Sequence, residues 1–428
     1  MEHLNGKKLL VIGSSEREAN IVRTAQSLGV YVIVSDGLPK SPKTIAKHIA
    51  DESWDIDYSK IEEIGDKCKQ EGVDGVIAGY SEFRVLAACR IANYIGTPFY
   101  ATEEQIEITR NKRLFKDRCS QYGVPVPKDY VFSDHIPDNI LEIVNYPVIV
   151  KPTDYAGRKG ITICYDESQL NEAIPYALKM SQSKTVIVED YIVGTEFSAI
   201  YSISNGEISL SCFNEKYLNE SQIRKTGLCD LALTPSKHLQ KYIDTTDVGV
   251  RAFLKGIGAK DGVAFFQGIV DERCCWVFEM GYRLNGGNDY FLIEKNNGIS
   301  YMKMLISHSL IGKMGDDLKK DNPFFKTFSC NYIVYAHEGI VSKISYEGEK
   351  NLPGIDEVHV YMSPGTVIVE DGSTQQSAFS FKLSADTIER IGDLILYIQD
   401  NCILEDPNGR DLLFEPFDVK RLNKNGMN

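Results

Sequence analysis

Short apolar runs alternate with amphipathic segments over residues 8–100. The apolar runs include LLVIG, YVIVSD and VDGVIAGY, and the segments between them repeat apolar residues with the 3.6-residue period of a helix. This alternation is typical of a parallel β-sheet whose strands are joined by right-handed helical crossovers. Residues 1–101 are therefore predicted to form a Rossmann-like domain.

The first strand-to-helix turn reads Gly13-Ser14-Ser15-Glu16-Arg17-Glu18. One interpretation is a dinucleotide site, with Gly13 in the turn and Asp36 as the ribose-binding acid, which would indicate an NAD-dependent oxidoreductase. The turn lacks the second and third glycines that a pyrophosphate and close helix packing require. The favoured interpretation is a tight turn that can still contact a small substrate.

The pattern changes to α+β after residue 101. Residues Thr102–Gln121 are predicted as one helix, because Thr102 and Gln105 form a capping-box pattern. Two β-hairpins are predicted further on, with turns at Asn205-Gly206 and Asp271-Glu272-Arg273. Their strands are Phe197–Ser204 with Glu207–Phe213, and Val263–Asp271 with Cys274–Glu279.

A third region begins near residue 322. It is predicted to open with a hairpin of Cys330–Tyr335 and Gly339–Tyr346 and to carry a last helix over Ala385–Asp400. The predicted fold is thus multi-lobed, α/β and then α+β. Its domains span residues 1–101, 102–321, with a lid at about 125–190, and 322–428.

Composition narrows the class of protein. The 428 residues carry 47 Lys and Arg against 60 Asp and Glu, a net charge of −13, which argues against binding to a nucleic-acid backbone. The ten cysteines form no CxxC pair and no Cys/His cluster, so reduced, structural thiols are expected. Because no apolar run reaches the ~18 residues of a membrane span, a cytoplasmic protein without membrane contact is predicted.

The segment YPVIVKPTDYAGRKGITIC places Lys151 at the end of an apolar strand and a glycine loop after it. Gly157 and Gly160 flank Arg158 and Lys159, and a further strand follows. Such a loop can close over phosphate oxygens while lysine supplies a positive charge. The sequence does not match a P-loop, and a plain hairpin with a surface lysine is the alternative.

Two further segments place polar groups where they could contact a ligand. A β-run ends at Glu189, and an irregular stretch, Asp190–Val193, precedes a new strand at Glu196. Such a stretch can present backbone groups to a purine, and a carboxylate can accept from ribose hydroxyls. Solvated loop acids are the alternative.

In the hairpin that turns at Asp271–Arg273, counting about Arg273 places Gln267 opposite Glu279. Facing side-chain oxygens on one sheet suit a hard cation such as Mg²⁺ shared with phosphates. Arg283 follows four residues later, near enough to neutralise charge on a phosphoryl group.

Together these segments resemble the ATP-grasp superfamily of carboxylate–amine and carboxylate–thiol ligases. The resemblance covers about residues 7–312 and rests on several motifs in the family's order. It implies ATP and Mg²⁺ as cofactors, small-molecule carboxylate and amine substrates, and a homodimer as one option. The residues implied to bind ATP are Lys112, Ile149, Lys151, Gly157, Arg158, Gly160, Glu189, Asp190, Tyr191, Ile192, Glu196 and Phe278.

The same resemblance implies Gln267 and Glu279 as metal ligands, and Arg283 and Lys151 as catalytic residues. The sequence departs from the family's E-x-N-x-R pattern, because Gly281 stands where asparagine is expected; Asn285 or Asn288 could substitute. The implied activity is ATP-dependent activation of a carboxylate as an acyl phosphate and its transfer to an amine. An ATP-binding regulatory protein without ligase activity remains the alternative.

Overall fold

The computed structural model describes residues 4–133, 137, 139–153, 160–219, 228–287, 289–315, 321–349, 351–370 and 372–423. Three larger bodies of secondary structure follow one another: a parallel sheet with helices, a small antiparallel sheet, and an eight-stranded antiparallel sheet. The fold is therefore mixed α/β with several sheets, as the sequence predicts.

The N-terminal region forms the predicted parallel sheet, with strand order β3-β2-β1-β4. Its interior strands are buried along most of their length, which is why they read as continuous apolar runs. The elements are β1 (Lys8–Ile12), α1 (Glu16–Ser27), β2 (Tyr31–Ser35), α2 (Ile45–Ile49), β3 (Glu52–Trp54), α3 (Ile61–Glu71), β4 (Gly75–Ile77) and α4 (Glu82–Ile95).

The predicted single helix over residues 102–121 is wrong. Two helices, α5 (Glu103–Arg110) and α6 (Lys112–Gln121), meet at Asn111. Asn111 has extended backbone angles, and its side chain accepts hydrogen bonds from two backbone N–H groups of α6, so it ends one helix and caps the next. The predicted capping box at the start of α5 is confirmed.

A four-stranded antiparallel sheet, ordered β5-β8-β6-β7, follows. It has its own small core against the helix that the sequence places near residues 170–180. The elements are β5 (Asp129–Ser133), α7 (Ile140–Ile143), β6 (Val148–Pro152), β7 (Thr162–Cys164), α8 (Glu167–Met180) and β8 (Val186–Asp190).

The largest body is an antiparallel sheet of order β13-β12-β9-β10-β11-β14-β19-β17. Both predicted hairpins, β9–β10 and β12–β13, are confirmed, and three strands from beyond residue 322 extend the same sheet. Its strands are β9 (Thr195–Ser204), β10 (Glu207–Leu218), β11 (Cys229–Thr234), β12 (Gly262–Val270), β13 (Cys275–Gly281), β14 (Phe328–Tyr335), β17 (Ile355–Val360) and β19 (Ser377–Ala385).

The predicted hairpin of residues 330–335 with 339–346 is wrong. Strand β14 pairs with β11 and β19 in the interior of the large sheet, which leaves it no free edge for the next strand. The following segment splits into two short strands that pair elsewhere. These are β15 (Gly339–Ile340), paired with β18 (Val367–Ile368), and β16 (Lys343–Tyr346), paired with β20 (Cys402–Glu405).

Helices cover the sheets and join the regions. The predicted last helix is present as α13 (Ile388–Asn401), with an apolar face packed against β14 and β19. The others are α9 (Leu239–Tyr242), a π-helical turn at Ile243–Asp247, α10 (Val248–Gly256), α11 (Tyr290–Asn297), α12 (Tyr301–Ile311) and α14 (Lys420–Asn423).

The N-terminal sheet and the large sheet share one hydrophobic core. Helix α12 packs against β4, where the backbone carbonyl of Ser309 lies 2.2 Å from the position that a Cβ on Gly75 would take. Only glycine permits this approach. The N-terminal region is thus fixed directly against the body that carries the larger sheet.

Within the described ranges, no helix combines the length and the apolar character needed to cross a lipid bilayer. All ten cysteines lie in those ranges, and none is joined to another by a disulfide bond. Seven are buried, where they pack as small apolar side chains.

Candidate functional site

A cleft of about 2130 Å³ is lined by residues of the four-stranded sheet, the eight-stranded sheet and the N-terminal region. It brings together predicted site residues as far apart in the sequence as Lys112 and Arg283. The predicted site residues that line it are Lys112, Ile149, Lys151, Glu189, Asp190, Tyr191, Ile192, Glu196, Gln267, Phe278, Glu279 and Arg283.

Three predicted residues are not placed in this lining. Gly157 and Arg158 lie outside the described residues. Gly160 is buried, and a Cβ at its position would lie 3.0 Å from Pro152 and 3.1 Å from Met180, so it packs behind the cleft wall. The glycine loop therefore stays a prediction.

The predicted pairing of Gln267 with Glu279 is confirmed by the strand register. The register shifts by one between Gln267 and Gly268, because Gly268 pairs with Val277 and leaves Phe278 as an extra residue on β13. A β-bulge of this kind re-aims the side chain of the extra residue. Both Phe278 and Glu279 consequently line the cleft, although they are consecutive in a strand.

Gln267 and Glu279 lie side by side in the cleft wall. In the orientation that satisfies its hydrogen bonds, the Gln267 amide N–H donates to Glu279 Oε1 at 3.1 Å and the amide oxygen accepts from Lys216 Nζ at 2.9 Å. Among the described residues no group of three His, Cys, Asp or Glu side chains has the arrangement of a metal site. Since Mg²⁺ takes few protein ligands and completes its shell with water and substrate phosphates, the Glu279 carboxylate would hold the ion, and the Gln267 amide would join it by turning its oxygen away from Lys216.

Three buried charged residues form part of the floor of the cleft. The carboxylate of Glu189 accepts hydrogen bonds from both Lys151 and Lys116, and Lys116 also pairs with Asp129. Glu189 is 2% exposed and Lys116 is 4% exposed. A carboxylate this deeply buried is tolerated because two ammonium groups compensate its charge.

The two lysines also decide the protonation of Glu189. Burial opposes its ionisation, but the charges of Lys151 and Lys116 outweigh burial and lower the pKa of Glu189 from 4.5 to about 2. Burial lowers the pKa of Lys116 less than its two carboxylate partners raise it, so this pKa lies above its ordinary value. Glu189 is therefore ionised and Lys116 protonated near neutral pH.

Lys112 meets the same floor from the start of α6. Its Nζ donates to the backbone carbonyl of Pro152 at 3.2 Å, beside Lys151. Ile149 and Glu189 are cross-strand partners, and Ile149 also pairs with Ile163. The structure therefore brings an apolar wall and two lysines together, as an adenine and phosphate site requires.

The predicted hinge, Glu189–Val193, leaves β8 and runs along the cleft. The side chain of Asp190 accepts from the Tyr130 hydroxyl at 2.6 Å, and the backbone N–H of Tyr191 donates to the Pro147 carbonyl at 3.0 Å. Glu196 begins the next strand and faces Lys216 in register. The hinge backbone is thus fixed by its neighbours before any ligand binds.

Arg283 lines the cleft but is held by the N-terminal region. Its guanidinium donates to Glu82 on α4 and to the Leu284 carbonyl at 2.7 Å, and it lies 5.0 Å from the centre of the Phe265 ring. This ion pair joins the segment that follows β13, the strand of Glu279, to helix α4 of the N-terminal region. The arginine is preorganised at the edge of the predicted phosphoryl position.

Gly281 occupies its position because of packing. Its backbone is that of an ordinary β-strand, and a Cβ there would lie 2.5 Å from the ring of its cross-strand partner Phe265. Asn285 does not reach back to replace a ligand, because its amide is bonded to Asp289 at both ends. Asn288 lies outside the described residues.

The first strand-to-helix turn is filled by a side chain. Arg84 Nη1 lies 2.7 Å from the position that a Cβ on Gly13 would take, and Arg84 pairs with Glu18 at 3.2 Å and Asp36 at 3.4 Å. A guanidinium therefore covers the turn and engages the proposed ribose-binding acid. The dinucleotide interpretation has no support in this geometry.

Sequence reasoning missed three cleft-side residues: Lys116, Lys216 and Glu82. Lys116 had a signal, because it lies four residues after Lys112 on the face of α6 that also carries the buried Phe115 and Cys119. Lys216 and Glu82 had none, since their partners lie 51 and 201 residues away and are set by tertiary structure.

Comparison with known proteins agrees with this geometry. Residues 109–275 match a family described as an ATP-grasp domain. The chain is 25% identical over 413 residues to the carbamoyl phosphate synthase large chain of Clostridium acetobutylicum, covering 87% of this chain and 37% of that protein. The chain thus spans little more than a third of this relative's length.

A second relative is matched over most of both chains. The phosphoribosylamine–glycine ligase of Fusobacterium nucleatum subsp. nucleatum is 24% identical over 366 residues, covering 82% of this chain and 83% of that protein. Among solved structures, an L-amino acid ligase from Bacillus licheniformis has a TM-score of 0.78 at 18% identity, with 94% of this chain and 100% of that chain covered.

The fold is of mixed α/β architecture with a large cleft between its sheets. Residues 109–275 form an ATP-grasp domain, as the motifs predict, and the relatives of this chain include ATP-grasp ligases.

The Glu189 ion pairs predict a dependence of stability on pH. A carboxylate whose pKa is 4.5 unfolded and about 2 folded stabilises the protein above pH 4.5, and this contribution is lost as the pH falls through 2. We expect the free energy of unfolding to fall between about pH 5 and about pH 2 in urea titrations of the parent, and to fall less in Glu189→Gln. Glu142→Gln, an exposed carboxylate on α7, should follow the parent; an unchanged slope in Glu189→Gln would contradict the assignment.

Gly281→Ala should destabilise the protein because the new Cβ must displace the Phe265 ring. We expect a loss of about 1–3 kcal/mol in the free energy of unfolding, measured by denaturant titration. Gly392→Ala is the matched control, since the nearest atom to its new Cβ lies 3.8 Å away on a helix that favours alanine. If Gly281→Ala were as stable as Gly392→Ala, packing would not be the reason for the glycine.

Proposed function

We propose that this protein is an ATP-dependent ligase that activates a small carboxylate as an acyl phosphate and transfers the acyl group to an amine, releasing ADP and phosphate. The observation that carries this proposal is the convergence on one cleft of Lys112 and Lys151 from one side and the Gln267–Glu279 pair from the other. These are the charges that a triphosphate and its metal ion need.

The nucleotide is proposed to lie with adenine between Ile149 and Phe278 and with its ribose hydroxyls against Glu196. An aliphatic side chain on one side and an aromatic ring on the other bury the base, and the hinge backbone binds the polar edge of the base. Its phosphates then extend over Lys151 and Lys112 toward Glu279. Support comes from the placement of all six side chains along the same cleft.

In the first step, a carboxylate oxygen of the acid attacks the γ-phosphorus, the bond from that phosphorus to the bridging oxygen breaks, and ADP leaves. In the second step, the amine nitrogen attacks the acyl carbon, the acyl C–O bond to phosphate breaks, and the nitrogen loses a proton. Lys151 and Arg283 stabilise charge on the phosphoryl oxygens without forming covalent bonds. Mg²⁺, held by Glu279 and Gln267, supplies further neutralisation of phosphate charge when bound.

The relatives limit the reaction type and leave the substrates open. The names of the two matched ligases describe ligation to glycine and of L-amino acids, and the synthase is named for carbamoyl phosphate. Small-molecule acids and amines are therefore the proposed substrates of this chain, and a cytoplasmic homodimer is its proposed state. A regulatory protein that binds ATP without turnover is the competing proposal.

A screen of acid and amine pairs tests the function. We expect at least one pair to produce ADP with a product whose mass equals acid plus amine minus water. Glu279→Gln should lower this rate by about two decades because an amide oxygen binds Mg²⁺ more weakly than a carboxylate. Glu272→Gln, at the exposed tip of the same hairpin, is the control and should match the parent. ATP binding without ADP from any pair would favour the regulatory protein.

Lys151→Ala should weaken ATP binding because Lys151 is the lysine at the strand end that faces the phosphate path. Loss of one charge-assisted contact removes about 1.5–3 kcal/mol, or roughly one to two decades of affinity in calorimetric titration. Lys179→Ala, an exposed lysine at the end of α8, should bind as the parent does. Equal affinities in two folded variants would remove Lys151 from the nucleotide site.

A further inference from the structure

The segment that follows β13 carries Arg283 along the cleft wall. Its first part is fixed by side-chain contacts, because Arg283 pairs with Glu82 and donates to the Leu284 carbonyl. Its last part is the glycine pair Gly286-Gly287, which also lines the cleft. Two consecutive glycines have no side chains to pack and have the greatest backbone freedom of any residue pair. An anchor for this end of the segment must therefore come from another part of the fold.

Two side chains of the eight-stranded sheet bind the Gly287 carbonyl. Asn331 Nδ2 donates to it at 3.0 Å, and the Lys382 ammonium donates to the same oxygen. Asn331 and Lys382 are cross-strand partners on β14 and β19, so the register places both on one face of the sheet. Ser380 donates to Asn331 Oδ1 at 2.8 Å, which orients the amide with its N–H groups toward Gly287. The glycine end is thus held by two donors on interior strands.

Lys382 is buried behind the wall of the cleft. It is 1% exposed and is not one of the residues that line the cleft. Within the part of the chain that the structure describes, the one hydrogen bond of its ammonium is the bond to the Gly287 carbonyl. Burying an ammonium costs free energy unless the group is hydrogen-bonded or paired. The bond to Gly287 is therefore the direct contact that stabilises this charge.

The surroundings of Lys382 set the pH range in which it is charged. Burial is the largest effect and lowers the pKa of Lys382 from 10.5 to about 8. Two carboxylates and a thiol oppose burial, and one guanidinium adds to it. These groups are Asp289 after β13, Glu357 on β17 with His359 beside it, Cys330 on β14, and Arg17 on α1. The ammonium thus loses its proton as the pH rises through about 8, and its bond to Gly287 weakens because a neutral donor binds less strongly.

We propose that Lys382 is a positioning residue for phosphoryl transfer: with Asn331 it anchors the Gly287 carbonyl and so holds the segment that carries Arg283 against the cleft. This inference rests on the proposed ligase function, in which Arg283 stabilises the transferred phosphoryl group. Lys382 itself contacts no substrate and acts through the backbone of the segment. Arg283 lies four residues before Gly287, so release of the glycine end loosens the placement of the guanidinium, and catalysis is sensitive to such placement.

Hydrogen–deuterium exchange, followed by mass spectrometry at neutral pH, tests the anchor without turnover. We expect the backbone amides of residues 284–287 to exchange about 10-fold faster in Lys382→Met than in the parent, because the glycine end opens more often. The amides of β12 and β13 should exchange as in the parent. Asn331→Ala removes the second donor and leaves every charge in place, so it should show the same local effect even if Lys382→Met does not fold. Lys343→Met, an exposed lysine on β16, is the control and should match the parent.

Turnover tests the positioning role, using an acid and amine pair that yields ADP. We expect Lys382→Met to lower kcat by about 10- to 100-fold, and to leave the calorimetric affinity for a non-hydrolysable ATP analogue within about twofold of the parent, because Lys112 and Lys151 are untouched.

The pH profile separates positioning from a general loss of structure. The ratio of the kcat of the parent to that of Lys382→Met should fall as the pH rises through about 8, because the parent then loses the charged donor that the variant already lacks. Ionisation of the amine substrate affects both proteins alike and cancels in this ratio. Lys382→Arg keeps its charge, so it should retain turnover in a profile without this fall.

Several outcomes would overturn the assignment. Unchanged exchange of residues 284–287 in both Lys382→Met and Asn331→Ala would show that the anchor does not exist, whatever the reaction. Faster exchange with an unchanged kcat, or a kcat ratio that does not vary with pH, would reject the positioning role while the ligase function stands. If no acid and amine pair yields ADP, the ligase function fails and the positioning role fails with it, whereas the exchange measurements still decide whether Lys382 and Asn331 anchor the segment.

Discussion

The register of the eight-stranded sheet is the constraint on which the cleft depends. Cross-strand partners share a face of a sheet, so the pairings Glu279–Gln267, Gln267–Ser198 and Ser198–Asn214 place four polar side chains in one row. A neighbouring row continues through Lys216 and Ala232 to strands from beyond residue 322. A slip of one residue in any strand would turn its polar groups into the core.

Charge compensation is the second physical condition of the site. Glu189 is buried, and it remains ionised because Lys116 and Lys151 flank it. Removing either lysine would leave a buried charge less compensated, so the carboxylate holds both lysines in place. Arg283 is held in the same manner by Glu82 from the N-terminal region.

Local pattern was sufficient for much of the fold and for the chemical character of the site. Alternation of apolar runs predicted the parallel sheet, and turn residues predicted the β9–β10 and β12–β13 hairpins, because these features rest on neighbours in the chain. The pairing of Gln267 with Glu279 was predicted by counting about residue 273. The turn is in fact centred half a residue earlier, and the bulge at Phe278 restores the pairing.

The sequence by itself determined which residue types lie at strand ends, hinges and turns, since propensity and hydrophobic period act over a few residues. Only the tertiary structure decided the rest. Asn111 separates two helices where the pattern predicts one. Strand β14 pairs with one strand about 100 residues before it and another about 50 residues after it. The Phe265 ring leaves no room for a side chain at Gly281. Lys116, Lys216 and Glu82 reach their partners at the cleft only when distant segments pack together, because burial and charge pairing depend on contacts that no local pattern records.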